Sequence, residues 1–317
     1  MTRLRVAFLG PLGSFSHQAA TESFGNLSAD LVPHASFADA FLALQRKEID
    51  YTVIPSENST NGSVVLTLDL LADREDSYKD VKVCGEYYLP IHHCLLVRKD
   101  TCPGGWANYD RSITKLYTHS QAWGQCEKFL SEHFKGVERH DVSSTSKAVQ
   151  IVSNETTERV AAIASRFAAE HHGMDMLQEN IEDRADNTTR FLILRNVLDG
   201  RTAQLDFDQS NPLEVENKLA LETMHKTLIT FTINHSSPGA LADALLIFKA
   251  HGLNLTSINT RPSLKVPWQY IFFVECGRAP SDENKEAVLK VLNDLPRVTE
   301  TCRDLGTWKD QMRAGSA

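Results

Sequence analysis

Long apolar runs are missing from this 317-residue chain: the longest, residues 241–248 and 270–274, fall far short of the roughly 20 residues a membrane-spanning helix needs. A CxxC pair is missing too. The six cysteines, Cys84, Cys94, Cys102, Cys126, Cys276 and Cys302, follow no regular framework and several sit in apolar stretches, so they read as reduced thiols. The net charge of -8 comes without a basic stripe, which argues against nucleic acid as a partner. No GxGxxG fingerprint occurs, so a dinucleotide is not implied. Among the twelve histidines, His92-His93 and His171-His172 are adjacent pairs whose side chains diverge on a strand or helix, and no metal site is expected. A separate basic and apolar leader has no room before the strand pattern at residues 4–9, which makes a cytoplasmic location the expectation.

What is present is an α/β rhythm. Strand-like and helix-like segments alternate over residues 4–54, and Ser36 with Asp39 three positions on reads as a helix start that caps free amides. Three times a strand runs into a loop of small polar residues that opens a helix. The loops are Gly10-Pro11-Leu12-Gly13-Ser14-Phe15-Ser16-His17, then Pro55-Ser56-Glu57-Asn58-Ser59-Thr60-Asn61-Gly62-Ser63, then Thr118-His119-Ser120-Gln121-Ala122. In open α/β sheets such loops gather at the carboxyl ends of the strands, where free backbone amides hold anions. Residues 81–97 read as extended and suited to carry the chain into a second lobe. Asn187-Thr188-Thr189-Arg190-Phe191, feeding the apolar run Leu192-Ile193-Leu194, returns it. There a hydroxyl, a guanidinium and an aromatic ring stand side by side, a set suited to a small carboxylate carrying a ring.

Composition turns polar and acidic over residues 199–225, a linker. Beyond it come strand 228–233, helix 240–250, strands 254–259 and 269–276, helix 283–292 and strand 298–302, a βαββαβ order of the ferredoxin-like plan. Residues 309–317 read as a frayed tail.

With these motifs in order, the chain resembles the prephenate dehydratase family over nearly its whole length. The resemblance rests on Gly10-Pro11-Leu12-Gly13-Ser14-Phe15-Ser16, Ile54-Pro55-Ser56-Glu57-Asn58-Ser59 with Gly62-Ser63-Val64, His93-Cys94-Leu95-Leu96, and residues 187–191. The C-terminal unit is similar to the ACT regulatory domain through Pro238-Gly239-Ala240-Leu241 and Thr260-Arg261-Pro262-Ser263. Two motifs depart from the family: Thr118-His119-Ser120-Gln121-Ala122-Trp123 stands for Ser-His-Pro-Gln-Ala-Leu, and Asn259-Thr260-Arg261-Pro262 for Glu-Ser-Arg-Pro. The implied architecture is a catalytic region over residues 1–198, of the two-lobed type II periplasmic-binding-protein plan. Lobe one takes about 1–88 and 185–198, lobe two about 89–184, followed by the linker at 199–225, an ACT domain at 226–308 and the tail.

The resemblance implies decarboxylation and dehydration of prephenate to phenylpyruvate without cofactor or metal, phenylalanine as allosteric effector, and a homodimer or tetramer. Arogenate dehydration and noncatalytic amino-acid sensing are the alternatives. Thr189 takes the main catalytic role, with Arg190 as partner for the pyruvyl carboxylate and Phe191 either a wall of the site or a core side chain. Ser14, Asn58, Ser59, Gly62, Ser63, His119, Gln121 and Ala122 are expected around the substrate. Glu57 is either an acid or a brace of its loop. The hydroxyl of a threonine is too weak an acid for complete proton transfer, so a positioned hydrogen bond to the departing oxygen, fed through water or His119, is the expected form of assistance. Pro238, Gly239, Ala240 and Leu241, completed by Asn259 or Arg261 from a neighbouring strand or subunit, are expected to hold the effector.

Overall fold

The computed structural model describes residues 3–25, 27–102, 106, 112–202, 225–278 and 283–312. In chain order the first lobe contributes β1 (Leu4–Leu9), α1 (Phe15–Phe24), β2 (Ala29–His34), α2 (Phe37–Gln45), β3 (Tyr51–Asn58), β4 (Gly62–Ser63), α3 (Val65–Ala72) and β5 (Val81–Pro90). The second lobe follows with β6 (Cys94–Val97), β7 (Lys115–His119), α4 (Ser120–Gln125), α5 (Glu127–His133), β8 (Glu138–Val142), α6 (Thr145–Asn154), β9 (Val160–Ala164), α7 (Arg166–His172) and β10 (Asp175–Gln178). The return strand β11 (Thr188–Asn196) re-enters the first lobe.

Polar side chains fix where the helices begin. The Ser14 hydroxyl accepts from the His17 amide and Ser36 from the Asp39 amide, each satisfying a donor that has no acceptor inside its own helix. Lobe one forms a sheet in the order β2-β1-β3-β11-β5, parallel except for β11, which runs antiparallel to both β3 and β5. Lobe two repeats the idea as β10-β6-β9-β7-β8. The extended stretch expected over 81–97 does change lobes: β5 ends at Pro90 in the first sheet and β6 starts at Cys94 in the second. Alongside this crossing runs the return, tied to it by the Ile91 amide on the Asn187 carbonyl and the Ile181 amide on the His93 carbonyl.

The C-terminal unit is β12 (His225–Thr232), α8 (Ala240–Ala250), β13 (Asn254–Pro262), β14 (Tyr270–Arg278), α9 (Glu283–Asp294) and β15 (Thr301–Lys309), a βαββαβ sheet in the order β13-β14-β12-β15. Two boundaries move from those read in the sequence. The last strand covers residues 301–309 rather than 298–302, because pairing with β12 along its whole length outweighs the polar, glycine-bearing composition that disguised it. The helical segment after His119 divides at Cys126 into α4 and α5. Of the linker, residues 203–224 lie outside the described residues, as do 313–317 of the tail.

Helices α8 and α9 cover one face of the C-terminal sheet, with Ile229, Phe231, Phe272 and Val274 in their core. The other face is not left to solvent. Leu228, Phe273, Leu305 and Trp308 join Leu192, Leu194, Val83, Leu68 and Leu71 in one continuous core shared with lobe one. Strand β15 crosses β5 so closely that a Cβ on Gly306 would stand 2.1 Å from the Val83 carbonyl oxygen, and Gly306 also has φ 125°. Gly306→Ala should therefore push the C-terminal sheet off β5 and destabilise the chain by about 2 kcal/mol, read by denaturant unfolding. Unchanged stability would refute this contact.

Candidate active site

Each lobe presents the carboxyl ends of its parallel strands, and the two edges face one another across the hinge. From lobe one come the loop after β1 and the end of β3; from lobe two come the helix starts after β7, β8 and β9. The Ser146 hydroxyl of α6 donates to the Leu12 carbonyl at 2.6 Å and lies 3.0 Å from His172 Nε2. A Cβ on Gly13, which has φ 79°, would meet both side chains at about 3 Å, so glycine permits this approach of the lobes. The His17 ring stacks on Phe8 and meets Phe167 and His171 of lobe two edge-on. Burial, then the neighbouring His171, lowers its pKa, and its Nδ1 accepts the Gly13 amide at 3.0 Å.

Thr189 sits on β11 opposite Asn58 at the end of β3. Asn58 is pinned by a turn of its own making: Oδ1 accepts the amides of Thr60 and Asn61 at 3.0 and 2.9 Å. That fixes which end of the amide is oxygen, so the nitrogen faces β11. Nδ2 donates to Asn187 Oδ1 at 2.9 Å and to Thr189 Oγ1 at 3.0 Å. A hydroxyl whose oxygen accepts from a fixed N–H is left to point its own hydrogen elsewhere. Asn187, 2% exposed, keeps an Nδ2 without a partner among the described residues beside this pair. Sequence reasoning placed Asn187 in the motif but not among the candidates; only the register, which sets it against Asn58, gives it weight. Ser59 braces the same strand, its hydroxyl accepting the Thr188 amide at 2.9 Å.

Several expectations change. Strand geometry sends successive side chains to opposite faces, so Arg190 leaves the cleft where Thr189 enters it. Arg190 is 8% exposed and bound by Glu86, with Nε–Oε2 at 2.8 Å, and by Glu275 of the C-terminal sheet. Burial alone would lower its pKa, but Glu86 and then Glu275 hold it above the ordinary arginine value. Two of its three nitrogens are thus engaged by carboxylates of the chain itself. Phe191 belongs to the core between β11 and α1 with Phe8, Phe24 and Tyr51, which decides for packing. Glu57 and Ser63 pair with each other across β3 and β4 and turn toward the C-terminal unit, where Ser63 donates to Asn259 Oδ1 at 2.7 Å. Both line a cavity of about 30 Å³ with Arg190 and Glu275, away from Thr189.

On lobe two, His119 caps α4, its Nδ1 facing the Gln121 amide at 3.4 Å, and burial lowers its pKa against the opposing pull of Asp141. Gln121 is exposed at that edge, whereas Ala122 is buried in the lobe and presents no side chain to a ligand. Ser14 uses its hydroxyl within its own loop, accepting from His17 and donating to the Leu9 carbonyl at 3.2 Å. Gly62, at φ 76°, makes the β3–β4 turn and is exposed.

In the C-terminal unit Gly239, at φ 84°, starts α8 with no side-chain cap, beside Pro238, Ala240 and Leu241. Asn259 and Arg261 do not complete this corner from within the chain. They pair with Phe273 and Ile271, on the sheet face opposite α8, and Arg261 forks onto Asp69 of α3 with both N–O distances 2.9 Å. Among the described residues no cluster of three or more metal-ligating side chains occurs, and no helix is long and apolar enough to cross a membrane.

Two α/β lobes joined by paired crossing segments, with polar groups converging at their facing strand ends, make a two-lobed α/β unit that carries a ferredoxin-like partner unit. The model of the prephenate dehydratase family matches residues 6–197. A probable prephenate dehydratase of Saccharomyces cerevisiae is 37% identical over 325 residues, covering 92% of each chain, and a prephenate dehydratase of Methanocaldococcus jannaschii is 32% identical over 96% of this chain and 97% of its own. The solved prephenate dehydratase of Arthrobacter aurescens in complex with L-Phe superposes with a TM-score of 0.77 at 25% identity, over 97% of this chain and 90% of that one. The chain belongs to the prephenate dehydratase family.

Proposed function

We propose that the cleft converts prephenate to phenylpyruvate and that Thr189 assists the departing hydroxyl. The observation that carries this is the orientation of Asn58. Because its Nδ2 occupies the Thr189 oxygen, the Thr189 hydrogen is available to a ligand in the cleft. In the reaction the bond from ring to carboxylate breaks, its electron pair enters the ring, and the C–O bond opposite breaks. Carbon dioxide leaves, the departing hydroxide takes up one proton to become water, and the ring becomes aromatic. A hydrogen bond aimed at the leaving oxygen strengthens as charge develops there, which is assistance confined to the transition state. Neutral donors suit the carboxylates: the first amides of α1 orient them without a cation that would hold back the carboxylate about to lose its charge. Purified protein in a continuous phenylpyruvate assay should show saturable turnover of prephenate; binding of prephenate by calorimetry without turnover would instead favour a sensor.

The C-terminal unit is read as an ACT domain for phenylalanine, with support from the complex of the Arthrobacter relative and from the uncapped turn at Gly239. In this reading carboxylate recognition falls to the amides of Leu241 and Ala242, and Leu241 and Leu245, partly buried against the C-terminal core, supply the apolar wall for the ring. A Cβ at Gly239 meets no described neighbour within 4 Å, so the effect of Gly239→Val comes from forcing a β-branched residue to φ 84°. Feedback inhibition should weaken about tenfold or more while basal turnover persists, since one to two kcal/mol of backbone strain corresponds to that range. An inhibition curve identical to the wild type's would reject the corner as the effector site.

Self-association follows from the outer edge of this unit. Among the described residues strand β13 has no neighbour on one side, and Ile258, Leu264, Val266 and Trp268 expose apolar surface beside it, Trp268 being 85% exposed. Edges of this kind are normally covered. Sedimentation should give a dimer or tetramer in the cytoplasmic enzyme at micromolar concentration, and a monomer would contradict that role for the edge.

A further inference from the structure

Five charged side chains are gathered where β11 and β5 of lobe one meet the C-terminal sheet, and the substrate reaction uses none of them directly. Glu86, 1% exposed, takes Arg190 Nε on Oε2 at 2.8 Å and Lys226 Nζ on Oε1 at 3.1 Å. Arg190 reaches on to Glu275, whose second oxygen accepts from the Thr256 hydroxyl at 2.6 Å. Lys226 reaches on to Asp310 at 2.8 Å. Burial on this scale removes the screening that makes surface ion pairs weak, so displacing one member shifts the others.

The position of Arg190 makes this cluster more than a docking contact. Arg190 follows Thr189 directly on β11, and the strand's register against β3 slips between Arg190 and Phe191. The guanidinium carbon lies 6.0 and 5.8 Å from the ring centroids of Tyr88 and Trp308, and the group lines the 30 Å³ cavity shared by both units. It thus has two aromatic neighbours, room at one side, and a carboxylate from the other unit as its outer partner.

We propose that Arg190 is a positioning residue through which Glu275 of the C-terminal sheet sets the alignment of the Thr189 hydroxyl. This deepens the reading of the cleft as a dehydratase and rests on it. A shift of β14 within the C-terminal unit moves Glu275, Arg190 follows its partner, and β11, released from regular pairing where β3 carries the extra residue Ser56, passes the movement to the neighbouring Thr189. Its distance to the leaving oxygen then changes while the ground-state carboxylate contacts, made by other elements, do not.

The control is supplied by the chain itself, since Arg261 and Asp69 form a second ion pair between the same two units without touching β11. Glu275→Gln should lower kcat about tenfold with KM changed less than about twofold, the size of effect a small misalignment produces. Glu275→Asp, which keeps the charge, should recover part of that loss. In an Arg190→Lys background Glu275→Gln should cost little more. Asp69→Asn should leave kcat as in the wild type. Equal losses in Glu275→Gln and Asp69→Asn, or a change in KM alone, would reduce the cluster to docking and overturn the proposal. Amide hydrogen exchange over residues 187–191 gives a reading that does not need turnover: faster exchange in Glu275→Gln but not in Asp69→Asn is expected. Equal exchange in both would overturn the coupling. Absence of wild-type turnover alongside that exchange difference would instead reject the dehydratase reading.

Discussion

Thr189→Val is expected to lower kcat by about 10² or more with KM little changed, because the variant keeps the shape of the side chain and removes only the donor aimed at the leaving oxygen. The fold should hold. Asn58 Nδ2 retains Asn187 Oδ1 and the Thr188 carbonyl as acceptors, so no buried donor is orphaned. Thr189→Ser should recover most of the rate, since the hydroxyl and its acceptor contact with Asn58 survive. Steady-state kinetics of the two variants decide the matter. A Val variant with the wild-type kcat would remove the hydroxyl from the mechanism, and one with raised KM alone would make it a binding group.

The second large effect is on stability. Glu86→Gln keeps the volume of a side chain that is 1% exposed but takes away the carboxylate shared by Arg190 and Lys226. Each cation keeps an outer partner, Glu275 or Asp310, yet both lose the inner one in a site closed to water. Breaking a buried pair in this manner costs about 3 kcal/mol or more. For units of this size that is on the order of a 6–12 °C fall in Tm, measurable by calorimetry at a fixed scan rate. A fall below about 2 °C would mean that the cluster contributes little, and the coupling inferred for Arg190 would lose its physical basis.

Much of the scaffold was legible because strand, polar loop and helix follow one another with capping residues in place: Ser14 and Ser36 stand at the helix starts the sequence marked. The lobe crossing was legible as well, since a stretch as long as residues 81–97 exceeds one strand. The direction of Arg190 was not read, although the signal was there. Thr189 and Arg190 are neighbours on a strand and cannot share a face, and the same alternation separates Asn58 from Glu57. Ser63, Asn259 and Arg261 were misplaced for another reason. Their partners lie 196 positions apart in the chain for Ser63 and Asn259, and 192 for Asp69 and Arg261, and no local pattern encodes such docking. Glu86 and Glu275 carried a fainter mark, a lone carboxylate in a strand of mostly apolar or aromatic residues.

The most direct test of the account is the structure of the full-length chain with a prephenate analogue whose ring cannot become aromatic. The account predicts that the analogue's ring hydroxyl lies within hydrogen-bond reach, roughly 2.6–3.2 Å, of Thr189 Oγ1, with Asn58 Nδ2 still on that oxygen and Arg190 still bound to Glu86 and Glu275. An analogue held with its hydroxyl turned from Thr189, or with a carboxylate on Arg190 in place of Glu86, would contradict it.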